Sequence, residues 1–455
     1  MENIRKRKNQ INMLEGNIFS SMLKFSIPLF ATSFIANLYT AADTVVVGKF
    51  AGSLCLAAVS STSSILSLVT NLFIGVATGV NVYIARLIGE SNNEKISTTI
   101  HTSILFSIIV GLMVAVFGTY FSRAMLVATG SPSDVIDLAT LYLKIRFIGM
   151  PLMLLNSYGE SILRSKGDTK RPLIYSTISG LVNIVLNLLL VIVFKMDVDG
   201  VAISTNVSYL VGSFLLIYAL YKEEDEFHFE YRQLGINKEA LKEIVFIGLP
   251  SGIQNSMFSI SNIVMQSSIN SLGSTVMAGS GAGNSLVAFV NCFVNSVSVS
   301  AMTFVSQNFG AKNYERIKKS IINGIYLMAI GSIFFVLVAY KWSYELVSIY
   351  TNDPIAIQTG VERFKISIYP YFIYGLLMLS VSCLRGLSKG MVATMAMIVG
   401  VCGIRILWIK TYFVTHRTMI GIMLAYPVSW IITALFTCIF LWITLKKEKV
   451  LLHNE

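Results

Sequence analysis

Charge is scarce in this sequence. Asp, Glu, Lys and Arg make up 13% of 455 residues, where an ordinary soluble domain carries about a quarter. So few charges cannot cover the surface of a water-soluble globule of this length, and the 54% of hydrophobic residues equally excludes intrinsic disorder. Cysteine is also sparse. Cys55, Cys292, Cys383, Cys402 and Cys438 are odd in number, scattered and without a CxxC pair, which excludes a disulfide framework and a zinc site. They read as small polarisable packing residues. No Walker GxxxxGK[ST] is present, so ATP-driven transport by this chain is not expected. Nor is there an HExxH motif, a catalytic carboxylate pair or a Ser/His/Asp set at membrane depth. The reading is therefore of a non-enzyme with no cofactor. The net charge of +11 comes from basic residues lying between apolar runs, not from a patch with interleaved aromatics, so nucleic acid is not the expected partner.

What the chain has in abundance is apolar runs of membrane-spanning length, about 20 residues or more each. Twelve are read, at 19–47, 53–85, 97–121, 135–160, 172–194, 199–220, 241–270, 277–305, 318–340, 357–383, 391–414 and 418–445. The first follows a basic tail (Arg5, Lys6, Arg7, Lys8) that superficially resembles the start of a signal peptide. Its length, the presence of Asp43 and its direct continuation into further spans favour an uncleaved helix. Of the 35 Lys and Arg residues, 24 fall in the tails and alternate loops of one side. By the positive-inside bias, both termini are expected in the cytoplasm of a multi-pass protein of the bacterial plasma membrane.

The chain also repeats itself. "ARLIGESNNEKI" at 85–96 aligns with "SQNFGAKNYERI" at 306–317, an offset of 221, matching Gly89, Asn92, Glu94 and Ile96 to Gly310, Asn313, Glu315 and Ile317. Leu163-Arg164 matches Leu384-Arg385 at the same offset, and Pro28 matches Pro250 one residue further on. The fold class expected is thus all-α and polytopic, with two six-helix bundles related by pseudo-two-fold symmetry: residues 1–221, a charged cytoplasmic linker at 222–240, and residues 241–455. Parallel repeats of this kind characterise transporters that rock between inward and outward states. The internal symmetry makes a monomer in contact with membrane lipid the expected functional unit.

An ionisable group at membrane depth is costly unless it is used, so Asp43 is the leading candidate for chemistry. Tyr39 lies one turn earlier on the same face, placed to hydrogen-bond the carboxylate. Pro28 lacks a backbone donor and is positioned to bend the helix. Asn183 and Asn187, four residues apart, form a polar stripe, and Thr205 is a third neutral candidate. Such a stripe either joins helices or lines a site. With Asp43 these groups could ligate sodium or build a proton-dependent hydrogen-bond network. Glu160 reads as an ion-pair partner of Arg164 one turn on. Lys144 and Arg146 read as snorkelling to the outer interface, Arg405 as a residue of the C-terminal cavity or another snorkelling cation, and His101 as non-catalytic.

The segments "ADTVVVGKF", "LRSKGDTKRP" and "SQNFGAKNYERIKK", with the six-plus-six repeat, resemble the multidrug and toxic compound extrusion (MATE) family over about residues 15 to 445, most of all its members from Gram-positive anaerobes. The resemblance implies cation-coupled efflux of varied, often cationic or aromatic compounds by alternating access. It implies that Asp43 is the coupling carboxylate and that Tyr39, Pro28, Asn183 and Thr205 match family positions. Two departures stand out. Asn187 occupies a place where relatives often carry a second aspartate, and the repeat counterpart of Asp43 is Met265. One buried carboxylate then serves both ion and substrate, which favours strict exchange or a substrate that is not a simple cation. The alternative within the superfamily is a flippase of lipid-linked oligosaccharide or lipid II, although those often have more spans and a strongly basic cavity. A membrane enzyme of lipid metabolism is a third reading, without the acidic or His/Glu clusters it would need.

Overall fold

The computed structural model describes residues 10–453, so the basic tail at 5–8 lies outside the described residues. Twelve helical stretches follow one another. In the first half these are α1 (Ile18–Val46), α2 (Ser53–Gly89), α3 (Asn93–Ala128), α4 (Ile136–Ile148 and Met150–Ser165), α5 (Lys170–Leu188) and α6 (Val198–Tyr221). The second half repeats the order: α7 (Lys238–Asn270), α8 (Ser274–Gly310), α9 (Tyr314–Ser348), α10 (Pro354–Ile368 and Tyr371–Gly386), α11 (Gly390 to Phe413) and α12 (Met419–Met423 and Ala425–His453). Among the described residues nine helices are long and apolar enough to cross a membrane, and α4 and α10 each do so as a bent pair. The twelfth, α7, has the length but is rich in Ser, Asn and Gln.

Local chemistry explains the repeat. Asn92 accepts a hydrogen bond from the Lys95 amide at 3.2 Å and Asn313 from the Arg316 amide at 3.1 Å, each capping the helix that follows. Glu94 and Glu315 then sit in first turns, where a negative charge complements the helix dipole. The repeated motif is thus a tight turn into a capped helix.

The bends also repeat. In α4 the chain turns by 47° at Gly149, immediately before Met150-Pro151, and in α10 by 49° beside Pro370. Proline removes an amide donor, which makes a break in the hydrogen-bond ladder inexpensive there. Each of these spans, expected as one continuous run at 135–160 and 357–383, is broken in two.

The chain divides into two compact units, one built on Ala31–Gly252 and the other on Asn12–Phe30 with the chain from Ile253 onward. Helix α1 therefore changes unit between Phe30 and Ala31, two residues after Pro28, and α7 changes between Gly252 and Ile253, two residues after Pro250. In the first unit α2 and α7 cross at backbone contact. A Cβ on Gly75 would meet the Gly252 nitrogen at 2.1 Å, the small-residue packing common between membrane helices. In the second, Asn308 and Arg316 hold the carbonyl of Met13 at 3.1 Å each. Outward faces carry exposed Val116, Phe214 and Ile333, as a lipid-facing surface requires.

The 222–240 segment, expected to be a solvated linker, is exposed over most of its length and is anchored at two aromatic side chains. Phe227 and Phe229 are buried, and His101 stacks on Phe229 and accepts a hydrogen bond from the Glu230 amide at 3.0 Å. Two aromatic side chains in a charged run are enough to dock it.

Candidate functional site

A cavity of about 350 Å³ lies inside the first unit. Helix α1 lines it with Tyr39 and Asp43, α4 with Glu160 and Arg164, α5 with Gly180 and Asn183, and α6 with Thr205 and Tyr209. Asn187 is buried just beyond the wall and donates its amide to the Asp43 carboxylate, while its oxygen accepts from the Ser204 hydroxyl. Asn187 therefore orients Asp43 and does not present an oxygen to the cavity. Asn183 donates to the Thr205 hydroxyl at 3.5 Å, the outer limit of a hydrogen bond. Its own oxygen is buried with no partner. A buried, unpartnered acceptor on a residue that shares a cavity lining with a carboxylate is suited to a cation or to a proton donor.

The wider backbone turns fall beside these residues. Helix α1 continues into an i→i+5 turn at Val47–Ala51, and α5 into another at Leu189–Val193. Such turns shift the helix register locally and occur often at functional sites.

Two side chains, Tyr39 and Arg146, depart from their expected placement. The Tyr39 hydroxyl donates to the Thr177 carbonyl at 3.1 Å and not to Asp43. Its ring crosses α5 over Gly180, where a Cβ would stand 1.6 Å from the ring, so the absent side chain at 180 redirects the tyrosine. Arg146 does not snorkel outward. Its Nε and Nη1 are enclosed without hydrogen-bond partners, its guanidinium lies 5.7 Å from the Tyr209 ring centre, and its charge acts on Asp43. Glu160 does pair with Arg164, and it also accepts from the Ser176 hydroxyl at 3.0 Å, but the pair faces the same cavity as Asp43. Ser204, Tyr209 and Arg146 were not foreseen. Their rotation about the helix axes was the missing information, and only the polar spacing of α6 hinted at it.

Pro28 lies within α1, in the part of that helix belonging to the second unit. Arg405 is 6% exposed and lines a separate cavity inside the second unit. Among the described residues no group of three or more His, Cys, Asp or Glu could hold a metal ion.

The first unit thus gathers a carboxylate and neutral polar side chains in one cavity among helices long and apolar enough to cross a membrane. The chain matches the MatE family model twice, over residues 28–189 and 250–409, and it belongs to that family. The two matched segments begin 222 residues apart, the offset of Pro28 and Pro250. Relatives include "Probable multidrug resistance protein YoeA" of Bacillus subtilis, 25% identical, covering 95% of this chain and 96% of that protein. "Multidrug export protein MepA" of Staphylococcus aureus is 25% identical over 86% of this chain and 87% of its own. The "FAD transporter" of Shewanella oneidensis is 25% identical over 76% and 77%. The fold matches a solved outward-facing multidrug resistance MATE transporter with a TM-score of 0.90, 19% identity and coverage of 97% of this chain and 99% of that one.

Proposed function

We propose that this chain is a secondary exporter in the bacterial plasma membrane, with both termini cytoplasmic. It moves small organic compounds outward in exchange for protons or sodium ions. The observation that carries this is the setting of Asp43. Among the described residues it lines the cavity with no ion-pair partner, it is held by Asn187, and the vacant acceptor of Asn183 lies in the same wall. The coupling ion is cargo, and no cofactor is needed.

Entry of a cation at Asp43 neutralises the carboxylate and removes its demand for donors. The Asn187 hydrogen bond and the influence of Arg146 both weaken, and substrate held in the unloaded state is released. Helix α1 bends at Pro28, where the missing amide leaves the Lys24 carbonyl without its usual partner. The two ligands drive alternating access only through their differing affinities for the two states. The relatives named for drugs and for FAD suggest that size and aromaticity of the cargo matter more than positive charge. A monomer within lipid suffices, because both units lie in one chain.

The test is gradient-driven uptake of a fluorescent compound into everted vesicles, where export runs toward the lumen, for wild type and Asp43→Asn, under an imposed pH or sodium gradient. Transport driven by one gradient and lost in the variant is the expected result. Retained resistance in Asp43→Asn at normal expression would overturn the assignment.

A further inference from the structure

The second unit contains an open cavity of about 240 Å³ whose polar lining is unlike that around Asp43. Arg363, on the first half of α10, and Arg405, on α11, both line it and are 5% and 6% exposed. No carboxylate lines the cavity, and among the described residues neither arginine makes an ion pair. Arg363 donates to the hydroxyl of Ser280 and, at 2.7 Å, to the oxygen of Asn284. Arg405 has less. Its Nε reaches Ser429 at 3.3 Å and its guanidinium stacks on the Tyr426 ring at 4.2 Å, which leaves both terminal nitrogens without an acceptor.

Trp430 adds to this surplus of donors. It is 4% exposed, it lines the same cavity, and its Nε1 has no hydrogen-bond partner. The Asn291 oxygen accepts from the Tyr371 hydroxyl, so its amide nitrogen is a further donor. Two buried guanidinium groups and a buried indole N–H with too few acceptors are costly to an empty protein. They are the complement of an anion, and guanidinium matches planar carboxylate and tetrahedral phosphate oxygens particularly well. Beside them the rings of Tyr374, Trp430 and Tyr426 pack at centroid distances of 4.8 and 5.8 Å, a wall suited to a flat conjugated ligand. The same aromatic wall would serve an organic cation by cation–π contact, but two unneutralised guanidinium groups in so small a space repel one.

We propose that this cavity binds the anionic group of an aromatic substrate, a carboxylate or phosphate, so that the exported compounds include aromatic acids. The assignment rests on the exporter reading above and specifies its cargo. The bends and turns of the second unit position the charges. The 49° bend beside Pro370 separates Arg363 from Tyr371 and Tyr374 on the two arms of α10, and wide turns at Ile398–Gly403 and Ile409–Phe413 flank Arg405.

The test uses purified protein in phosphatidylcholine nanodiscs with two probes that share one ring, flavin mononucleotide and riboflavin, and reads flavin anisotropy with no gradient imposed. The expected result is affinity for the phosphorylated flavin at least about tenfold higher. That preference should collapse in Arg363→Gln/Arg405→Gln and be largely retained in Arg405→Lys. Unchanged elution and thermal unfolding establish that the variants are folded, and Arg405→Lys keeps the test informative if the double variant is not. Equal affinities in the wild type, or a preference that survives the double substitution, would overturn the proposal. So would displacement by inorganic phosphate at the same concentration as the flavin, which marks a simple ion site, or loss of the preference when phosphatidylglycerol is added, which marks a lipid-headgroup site. Because binding is read without a gradient, the result stands apart from the choice of coupling ion. Failure of the efflux experiment alone would sink the exporter reading and not the anion site.

Discussion

Corresponding helices line the two cavities and bring opposite charges to them. In the first unit α1, α4, α5 and α6 surround Asp43 and the Glu160–Arg164 pair. In the second, their repeat counterparts α7, α10, α11 and α12 surround Arg363 and Arg405, with α8 completing the wall. Each unit also secures its charges differently. In the first unit Arg86 pairs with Glu90 and Lys166 with Glu223. In the second, Arg316 and Arg385 are held by neutral oxygens, of Met13 and of Gln254. Duplication of one helical scaffold therefore leaves the packing and the caps alike while the charge inside the cavities diverges. The two cavities therefore present a carboxylate in one unit and two guanidinium groups in the other.

The largest effect tests the acidic half. Asp43→Asn keeps the shape and the Asn187 contact and removes the charge, so coupled efflux should fall at least about 100-fold, on the scale of losing a charge-dependent step. Size-exclusion behaviour and thermal unfolding should be unchanged. If efflux persists, the comparison between the cavities loses its functional meaning.

A second effect sharpens the shape of that cavity. Gly180→Ala places a Cβ 1.6 Å from the Tyr39 ring, so the ring must leave and Tyr39 must lose its hydrogen bond to Thr177. Overpacking of this kind costs about 1–3 kcal/mol. Tyr39→Ala should suppress most of that cost, giving a non-additive double-mutant cycle in thermal unfolding. Additive effects would mean that the ring is not braced on α5.

These contacts mark the boundary of what was legible beforehand. Polar residues inside apolar runs are conspicuous, and the structure brings Asp43, Asn183 and Thr205 to one cavity with Asn187 behind it. The helical spans and the repeat were legible for the same reason, since apolar length and motif spacing survive divergence. Rotation about a helix axis was not. Arg146 was read as facing the interface because a long cationic side chain can do so, whereas its guanidinium lies against the Tyr209 ring of α6. Arg363 went unnoticed because "VERFK" resembles the charged end of a helix. Only the bend beside Pro370 shows that it faces a cavity. Tyr39 was placed by helical spacing alone, which cannot register that α5 offers a glycine opposite.

The smallest effect concerns how the first unit fastens its cytoplasmic end. Glu223 accepts from Lys166 at 2.7 Å and pairs with Arg171, which also binds the buried Asp168 at the start of α5. Burial pushes the Glu223 carboxyl up, but the Lys166 hydrogen bond and the charges of Arg171 and Lys166 outweigh it, and the group titrates below its ordinary value of 4.5. A depressed carboxylate stabilises the fold above its unfolded-state value, and that contribution is lost as the pH falls through the folded one. Glu223→Gln, which keeps size and one acceptor, should therefore lower stability at pH 7 by about 1–2 kcal/mol. The gap between wild type and variant should hold down to about the ordinary carboxylate range and close below it, as the wild-type carboxyl becomes protonated. Arg385→Gln, whose partner Gln254 does not titrate, should show a gap independent of pH over the same interval. Thermal unfolding of both variants from pH 7 downward would separate ionic fastening in one unit from neutral fastening in the other, and parallel pH profiles would erase that distinction.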